Sequence, residues 1–336
     1  MFDKIKYLFW MGVAGILLSC GDSQKGQADF SATKVALSAD NLDEELFRAG
    51  SVKDVENFLD NHSYLRAGYF TDFQGDSTQL AAHLFEVLGN KDFRSFKSEV
   101  DSIIGDKKTV ILDPLAAAFE RIRENYPSFR SPKIKFIMTG FTGNDLYITD
   151  SLIVIGLDYF GGAAARFRPN VFDYQLRRYQ KESIVPAILF YMSGKYNKLN
   201  PADHTLLADM IGYGKSFEFV KQVLPECPDS LVLGYSEENL QRTYNSQKDI
   251  WAYFITNKLL YEKNDLKKQK YIGERPFTVE IGNEVPGGIG RWLGWRIVNK
   301  FATEHPELSL PELMNIDNAG YLFQESGYKG EKDEDE

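Results

Sequence analysis

The chain reads as an α+β protein, mainly helical with a small sheet. Two observations predict this. Apolar residues recur at helical spacing behind capping residues in several stretches. Between residues 135 and 157 the period switches to that of strands.

The elements follow in order. Ser51 and Asp54 form a capping-box pattern, with Val52, Val55, Phe58 and Leu59 on one face behind it. Asp113-Pro114 opens a second helix as N-cap and first helical residue, with Leu115, Phe119 and Ile122 on one side. Residues 135–141 and 146–149 read as strands separated by the turn Gly143-Asn144-Asp145. Residues 152–157 are a continuous apolar run that stops at Asp158, the pattern of a strand buried on both faces. Asn200-Pro201 starts a helix with Leu207, Met210, Ile211, Val220 and Leu224 inward. Gly212 and Gly214 lie inside it. Each costs about 1 kcal/mol against Ala, so both are expected to admit close packing of another element. Ser246 and Asp249 suggest a further capping box, followed by Trp251, Phe254, Ile255 and Leu259. Residues 290–301 form a helix entered through Pro286-Gly287-Gly288, and Ser309 with Glu312 caps a last short one.

The N-terminus carries a different signal. Lys4 and Lys6 precede an uncharged, mostly apolar run over residues 7–18. That run is too short to span a hydrocarbon core, which takes about 20 residues, and fits the apolar region of a signal peptide. It ends in Leu17-Leu18-Ser19-Cys20, which resembles the bacterial lipobox. The resemblance implies cleavage after Ser19 and acylation of Cys20, with more than one acyl chain giving a stable anchor. The expected organisation is a signal peptide over 1–19, a polar flexible tether over 20–34, one globular domain over 35–328 and a charged tail over 329–336.

Apolar residues make up 43% of the chain and aromatics 14%, ample for a packed core. The net charge is −9; the signal peptide carries Asp3, Lys4 and Lys6, so the mature chain is near −10. That balance argues against nucleic acid as a partner and against adhesion to anionic lipid headgroups. Once Cys20 is lipidated, Cys227 has no partner in the chain, so the fold is not disulfide-stapled.

Familiar catalytic patterns are missing. The histidines are His62, His83, His204 and His305, and none begins His-Glu-x-x-His. There is no Cys-x-x-Cys, Walker loop or Gly-x-Ser-x-Gly elbow. Two Ser-x-x-Lys matches, at Ser31 and Ser326, lack their companion motifs and read as chance. The stretch Gly288-Ile-Gly290-Arg-Trp-Leu-Gly294 has two readings. Either its glycines and Arg291 cradle an anion at a helix N-terminus, or Gly290 and Gly294 make a smooth face for helix packing, with Trp292 and Trp295 as core or interface aromatics. Asp158 is either a cap or turn residue or part of a site.

Several segments, in order, resemble the gliding-motility lipoprotein family GldB. They are Ser151-Leu-Ile-Val-Ile-Gly-Leu-Asp158, Ile184-Val-Pro186, Leu207-Ala-Asp-Met-Ile-Gly-Tyr-Gly-Lys215 and Gly234-Tyr-Ser-Glu-Glu-Asn-Leu240. Ile250-Trp251 with Phe254-Ile255 follows, then Pro286-Gly287 leading into Ile289-Gly-Arg-Trp-Leu-Gly-Trp-Arg-Ile-Val298. A bulkier residue often stands in the family where Gly288 stands here.

The resemblance implies an envelope lipoprotein required for gliding. Its expected role is that of a non-enzymatic accessory or assembly factor for the gliding and linked secretion machinery, with no cofactor or metal. Its expected partners are the membrane, through the anchor, and other proteins of that machinery. Gly21 after the lipidated cysteine favours the outer membrane, facing the periplasm. The family is also distantly similar to a zinc-peptidase layout, which makes a degenerate zincin-like scaffold the finer expectation for the fold. The helix that would carry the metal motif reads Ile184-Val-Pro-Ala-Ile-Leu-Phe190, and Tyr213 falls where a ligand Glu is expected. The candidate functional surface is therefore Asp158, Tyr213, Arg291 and Trp292. The second reading is an envelope hydrolase, an atypical metal-dependent peptidase.

Overall fold

A computed structural model describes residues 35–331. The expected signal peptide, Cys20 and the tether lie outside the described residues, as do residues 332–336. Strand β1 (Ala39–Asn41) leads into helix α1 (Leu42–Leu46). Helix α2 (Val52–Asn61) starts where Ser51 predicts: its Oγ accepts the Asp54 N–H at 3.2 Å, and the Asp54 carboxylate accepts the Gly50 N–H at 3.0 Å. Helices α3 (Ser77–Gly89) and α4 (Lys91–Ile104) follow, capped by Asp76 and Asn90. Helix α5 (Asp113–Asn125) differs from expectation at its start. Asp113 has helical angles because the chain is already in a wide i→i+5 turn over Lys108–Leu112, so it caps nothing and instead pairs with Lys108 at 2.7 Å.

Strands β2 (Lys133–Ile137), β3 (Leu146–Ile148) and β4 (Leu152–Gly156) complete a four-stranded mixed sheet in the order β1-β2-β4-β3. β1, β2 and β4 are parallel, while β3 is antiparallel to β4. The apolar run is the inner strand β4, with Ile153, Val154 and Ile155 fully buried. The two expected strands before it are not neighbours. The tight connection after β3 closes a hairpin onto β4, with Thr149 N–H donating to Leu152 O at 2.8 Å and Leu152 N–H to Thr149 Oγ1 at 3.0 Å. β4 thereby takes the position beside β2. Gly143-Asn144-Asp145 is accordingly part of a crossing connection. Asn144 ties it to the turn over Leu65–Tyr69 through Tyr69 O and Gly68 O.

The rest of the chain is helical: α6 (Ile184–Ser193), α7 (Leu206–Val223), α8 (Asp229–Leu233), α9 (Glu237–Asn245), α10 (Gln247–Thr256), α11 (Asp265–Ile272), α12 (Ile289–Glu304), α13 (Leu310–Asn315) and α14 (Ala319–Glu325). Asn200-Pro201 belongs to a turn, and α7 starts later, where Thr205 Oγ1 accepts the Ala208 N–H at 3.2 Å. Ser246 precedes α10 without a side-chain cap, and Ile255 is exposed. The Ser309–Glu312 capping box forms. Packing continues past the expected boundary at 328: Gly330 lies against the Trp251 side chain, and Gln247 Nε2 donates to Glu331 O.

The centre of the helical half is the crossing of α7 and α12. A Cβ on Gly294 would fall on the Met210 carbonyl, and one on Gly214 would fall on the Gly294 carbonyl. Backbone thus meets backbone, as the glycine spacing predicts. One turn further on, Trp295 Nε1 and Asn299 Nδ2 both donate to Glu218 Oε2 at 3.1 Å, and Gln222 Nε2 donates to Oε1 at 3.1 Å, so this buried carboxylate is partnered on both oxygens. Lys215, also buried, donates from Nζ to Lys198 O, Met314 O and Ile316 O at 2.5, 3.2 and 2.7 Å and pins the end of α13 to α7.

Replacing Gly294 or Gly214 by Ala is expected to cost about 3 kcal/mol or more, at or above the usual overpacking range, because a backbone rather than a flexible side chain must move. Gly89→Ala, where nothing stands within 4 Å, is the matched control and should be neutral or slightly stabilising. Thermal melting of the three variants checks this.

Candidate functional site

Two of the four candidate surface residues are not on the surface. Trp292 is completely buried, with its ring edge-on to Tyr244 at 5.7 Å. It faces inward because residues 292 and 295 lie on the buried side of α12. Asp158 is 1% exposed. Its Oδ2 accepts the N–H groups of Thr139 at 3.0 Å and Phe141 at 2.8 Å, and Phe141 holds a positive φ of 60°. Asp158 is therefore the pin that folds residues 138–141 back at the end of β2. Burial pushes its carboxyl above the usual range, against the two backbone donors that favour the charged form.

The other two candidates come together. Tyr213 on α7 stacks on Phe190 of α6, with centroids 6.3 Å apart and planes at 18°. The Arg291 guanidinium lies 4.5 Å from the centre of the Tyr213 ring. Arg291 is fixed a second time by its Nε, which donates to Ile272 O. From there it lines a cleft of about 280 Å³.

The cleft is built by elements distant in sequence. The start of β3 gives Asp145, α6 gives Pro186, Phe190 and Tyr191, α7 gives Phe217 and a 3-10 turn over Asp173–Arg178 gives Arg178. Its polar centre is Glu274, in the loop after α11. Gln175 Nε2 donates to Glu274 Oε2 at 2.8 Å, Arg178 forms an ion pair with Oε1, and the Arg291 guanidinium approaches the same oxygen at 3.8 Å. Two guanidinium groups thus share one carboxylate. Burial, and then the charge of Arg291, hold the Arg178 guanidinium below its ordinary pKa.

A smaller hollow of about 60 Å³ adjoins the cleft at Arg178, Glu274 and Arg291. Tyr235 closes it, with its hydroxyl donating to Gly287 O at 3.0 Å and its pKa raised by burial. Gly287 is needed there because a Cβ would strike the Arg275 carbonyl. Gly288 adopts a left-handed φ of 69°, which a bulkier residue enters only with strain. At the far end Asp145, its pKa raised by burial, faces the Tyr179 hydroxyl. Exposed aromatics, Tyr191 at 61% and Phe172 at 71%, stand around this region.

The residues that sequence reasoning missed are Arg178, Glu274, Tyr191 and Asp145. Asp145 was read only as a turn residue, and the other three belong to no motif; Pro186, Tyr235 and Gly287 lay in segments of family likeness. Among the described residues, no three His, Cys, Asp or Glu side chains gather where they could hold a metal ion.

A helical domain with a small mixed sheet and an aromatic-walled cleft centred on two arginines and a glutamate defines the class of protein. The family model for the gliding motility protein GldB matches residues 23–330, nearly the whole chain, and the chain belongs to that family. No curated protein and no solved structure matches it. It is a gliding-motility-related protein. The family's lipoprotein character fits a lipid-anchored envelope protein, and no helix among the described residues is long and apolar enough to cross a membrane.

Removing the pin has a defined consequence. Asp158→Ala leaves two backbone N–H groups unpaired and is expected to cost roughly 2–4 kcal/mol. Asp158→Asn keeps an acceptor and should cost less. The raised carboxyl pKa means that, above the ordinary 3.8, the folded state binds protons more tightly than the unfolded state. This group alone therefore makes stability fall as pH rises through that window, and Asp158→Asn should remove that slope. Melting temperature against pH measures both effects.

Proposed function

We propose that this protein is a lipid-anchored accessory or assembly factor of the gliding and linked secretion machinery. It is held by Cys20 in the outer membrane, faces the periplasm and works by binding a protein partner in the cleft. One observation carries the reading: Arg178 and Arg291 converge on Glu274 in a cleft ringed by exposed aromatic side chains, an arrangement suited to binding. Large exposed apolar groups beside a polar centre are the usual mark of an interaction site. Of the residues α6 gives the cleft, Pro186, Ala187 and Phe190 have no titratable group and ligate no metal, and Tyr191 brings a phenol hydroxyl. This supports the non-enzymatic reading. The adjacency of α6 and α7, with Tyr213 facing Phe190, is compatible with a degenerate zincin-like scaffold. The second reading, an envelope hydrolase using an atypical metal site, rests on that layout.

The anchor is tested directly. Cys20→Ala should be exported but take up no palmitate analogue, whereas continued labelling would refute the assignment. The cleft is tested in motile cells. Arg178→Gln, which keeps an amide donor beside Glu274, should leave abundance and melting unchanged and abolish or strongly reduce gliding. Normal gliding at normal protein level would remove the cleft from the function, and one tightly held zinc per purified chain would favour the hydrolase.

A further inference from the structure

We propose that the cleft receives a peptide segment that presents one carboxylate beside an apolar or aromatic side chain, with the carboxylate bridging Arg178 and Arg291. This deepens the reading above and rests on it. The charge count comes first. Arg178 and Arg291 bring two positive charges to one place, and Glu274 returns one negative charge. The centre keeps a local net charge of one, since the cleft's other acid, Asp145, sits apart at the far end; a single carboxylate neutralises that local charge and a phosphate dianion overshoots it. Two guanidinium groups are also the natural partners of a carboxylate, because their planar N–H edges match its two oxygens.

Preorganisation comes second. Arg291 is held by the Tyr213 ring and by Ile272 O, and Arg178 by Glu274, so little side-chain freedom is lost when an anion arrives. The Arg178 guanidinium is destabilised first by burial and then by the charge of Arg291, and an incoming anion offsets the second of these.

The walls come third. Phe160, Phe190, Phe217 and Leu233 offer apolar surface beside the charged centre. A volume of about 280 Å³ lies at the small end of ligand pockets, suited to a side chain and its flanking backbone rather than a folded domain. The exposed rings of Tyr191, Phe172 and Phe277 extend apolar contact outward, where the remainder of a peptide would run. A free inorganic anion would use none of these walls. The carboxylate has two possible sources, a chain terminus or an Asp or Glu side chain.

The experiment uses the purified full-length chain in detergent and calorimetric titration with four probes. These are N-acetyl-Leu-Phe with a free carboxylate, the same dipeptide as its amide, N-acetyl-Glu-Phe amide and phenyl phosphate. At least one carboxylate peptide should bind saturably and about tenfold or more tighter than the uncharged amide, as loss of a charge-assisted pair implies. Tighter binding of the free acid assigns the chain terminus, and tighter binding of the Glu peptide assigns the side chain. Arg178→Gln should weaken the preferred peptide about tenfold, while Glu274→Gln, which removes the competing carboxylate, should strengthen it. Equal binding of acid and amide, stronger binding of phenyl phosphate, weaker binding to Glu274→Gln with melting unchanged, or no saturable carboxylate binding would each overturn the proposal. The two readings fail separately. If Arg178→Gln stops gliding and no carboxylate peptide binds, the cleft remains the working site and the ligand assignment falls. If the peptide binds and Arg178→Gln glides normally, the ligand chemistry stands and the functional reading falls.

Discussion

The close approach of α7 and α12 is the constraint on which the helical half depends. Gly214 and Gly294 let two backbones touch, and no other residue pair permits that distance. Close approach sets the register of everything along the seam. One turn along, it brings Trp295 and Asn299 to Glu218, so a buried carboxylate finds its donors. In the other direction it sets Arg291 over Tyr213. The contact that stabilises the core therefore also positions the cleft's basic group. Conformational freedom lost at each helical glycine, about 1 kcal/mol against Ala, is offset by the packing it admits.

The cleft is polar in a different way from the core. Buried Lys215 and Glu218 have partners that match their charge or hydrogen-bonding capacity, and Asp158 takes two backbone donors on one oxygen. Arg178 and Arg291 instead share a single carboxylate at unequal distances. Locally the two guanidinium groups outnumber the one carboxylate between them, beside apolar walls. The chain as a whole is acidic, at −9, so this centre runs against the protein's overall field, and its charge acts locally rather than through long-range attraction.

The elements legible in the sequence were those with local causes. α2 and α13 began at their capping residues because a cap is a contact between near neighbours in the chain. β4 was legible because a continuous apolar run this short and rich in β-branched residues suits a strand covered on both faces. Errors arose where a distant element decided the outcome. Asn200-Pro201 has the chemistry of a helix start, yet the helix waits for Thr205, which caps it. Residues 138–141 continue the strand pattern of β2, yet Asp158 pulls their backbone out of the sheet. β1, α3 and α4 were not anticipated, and three residues of β1 gain their strand only by pairing with β2, some ninety positions away.

By itself the sequence determined the family, the class of fold, the helices capped by Ser51 and Ser309 and the close packing expected at Gly214, because each rests on order along the chain or on a residue's intrinsic geometry. It also singled out Tyr213 and Arg291. Only the tertiary structure decided that Asp158 and Trp292 are interior, since burial depends on which side of an element meets the core. The structure alone also brought Arg178 and Glu274 to Arg291. Those three residues come from a turn, a loop and a helix far apart in sequence, and a charge imbalance among them exists only when the fold removes the distance between them.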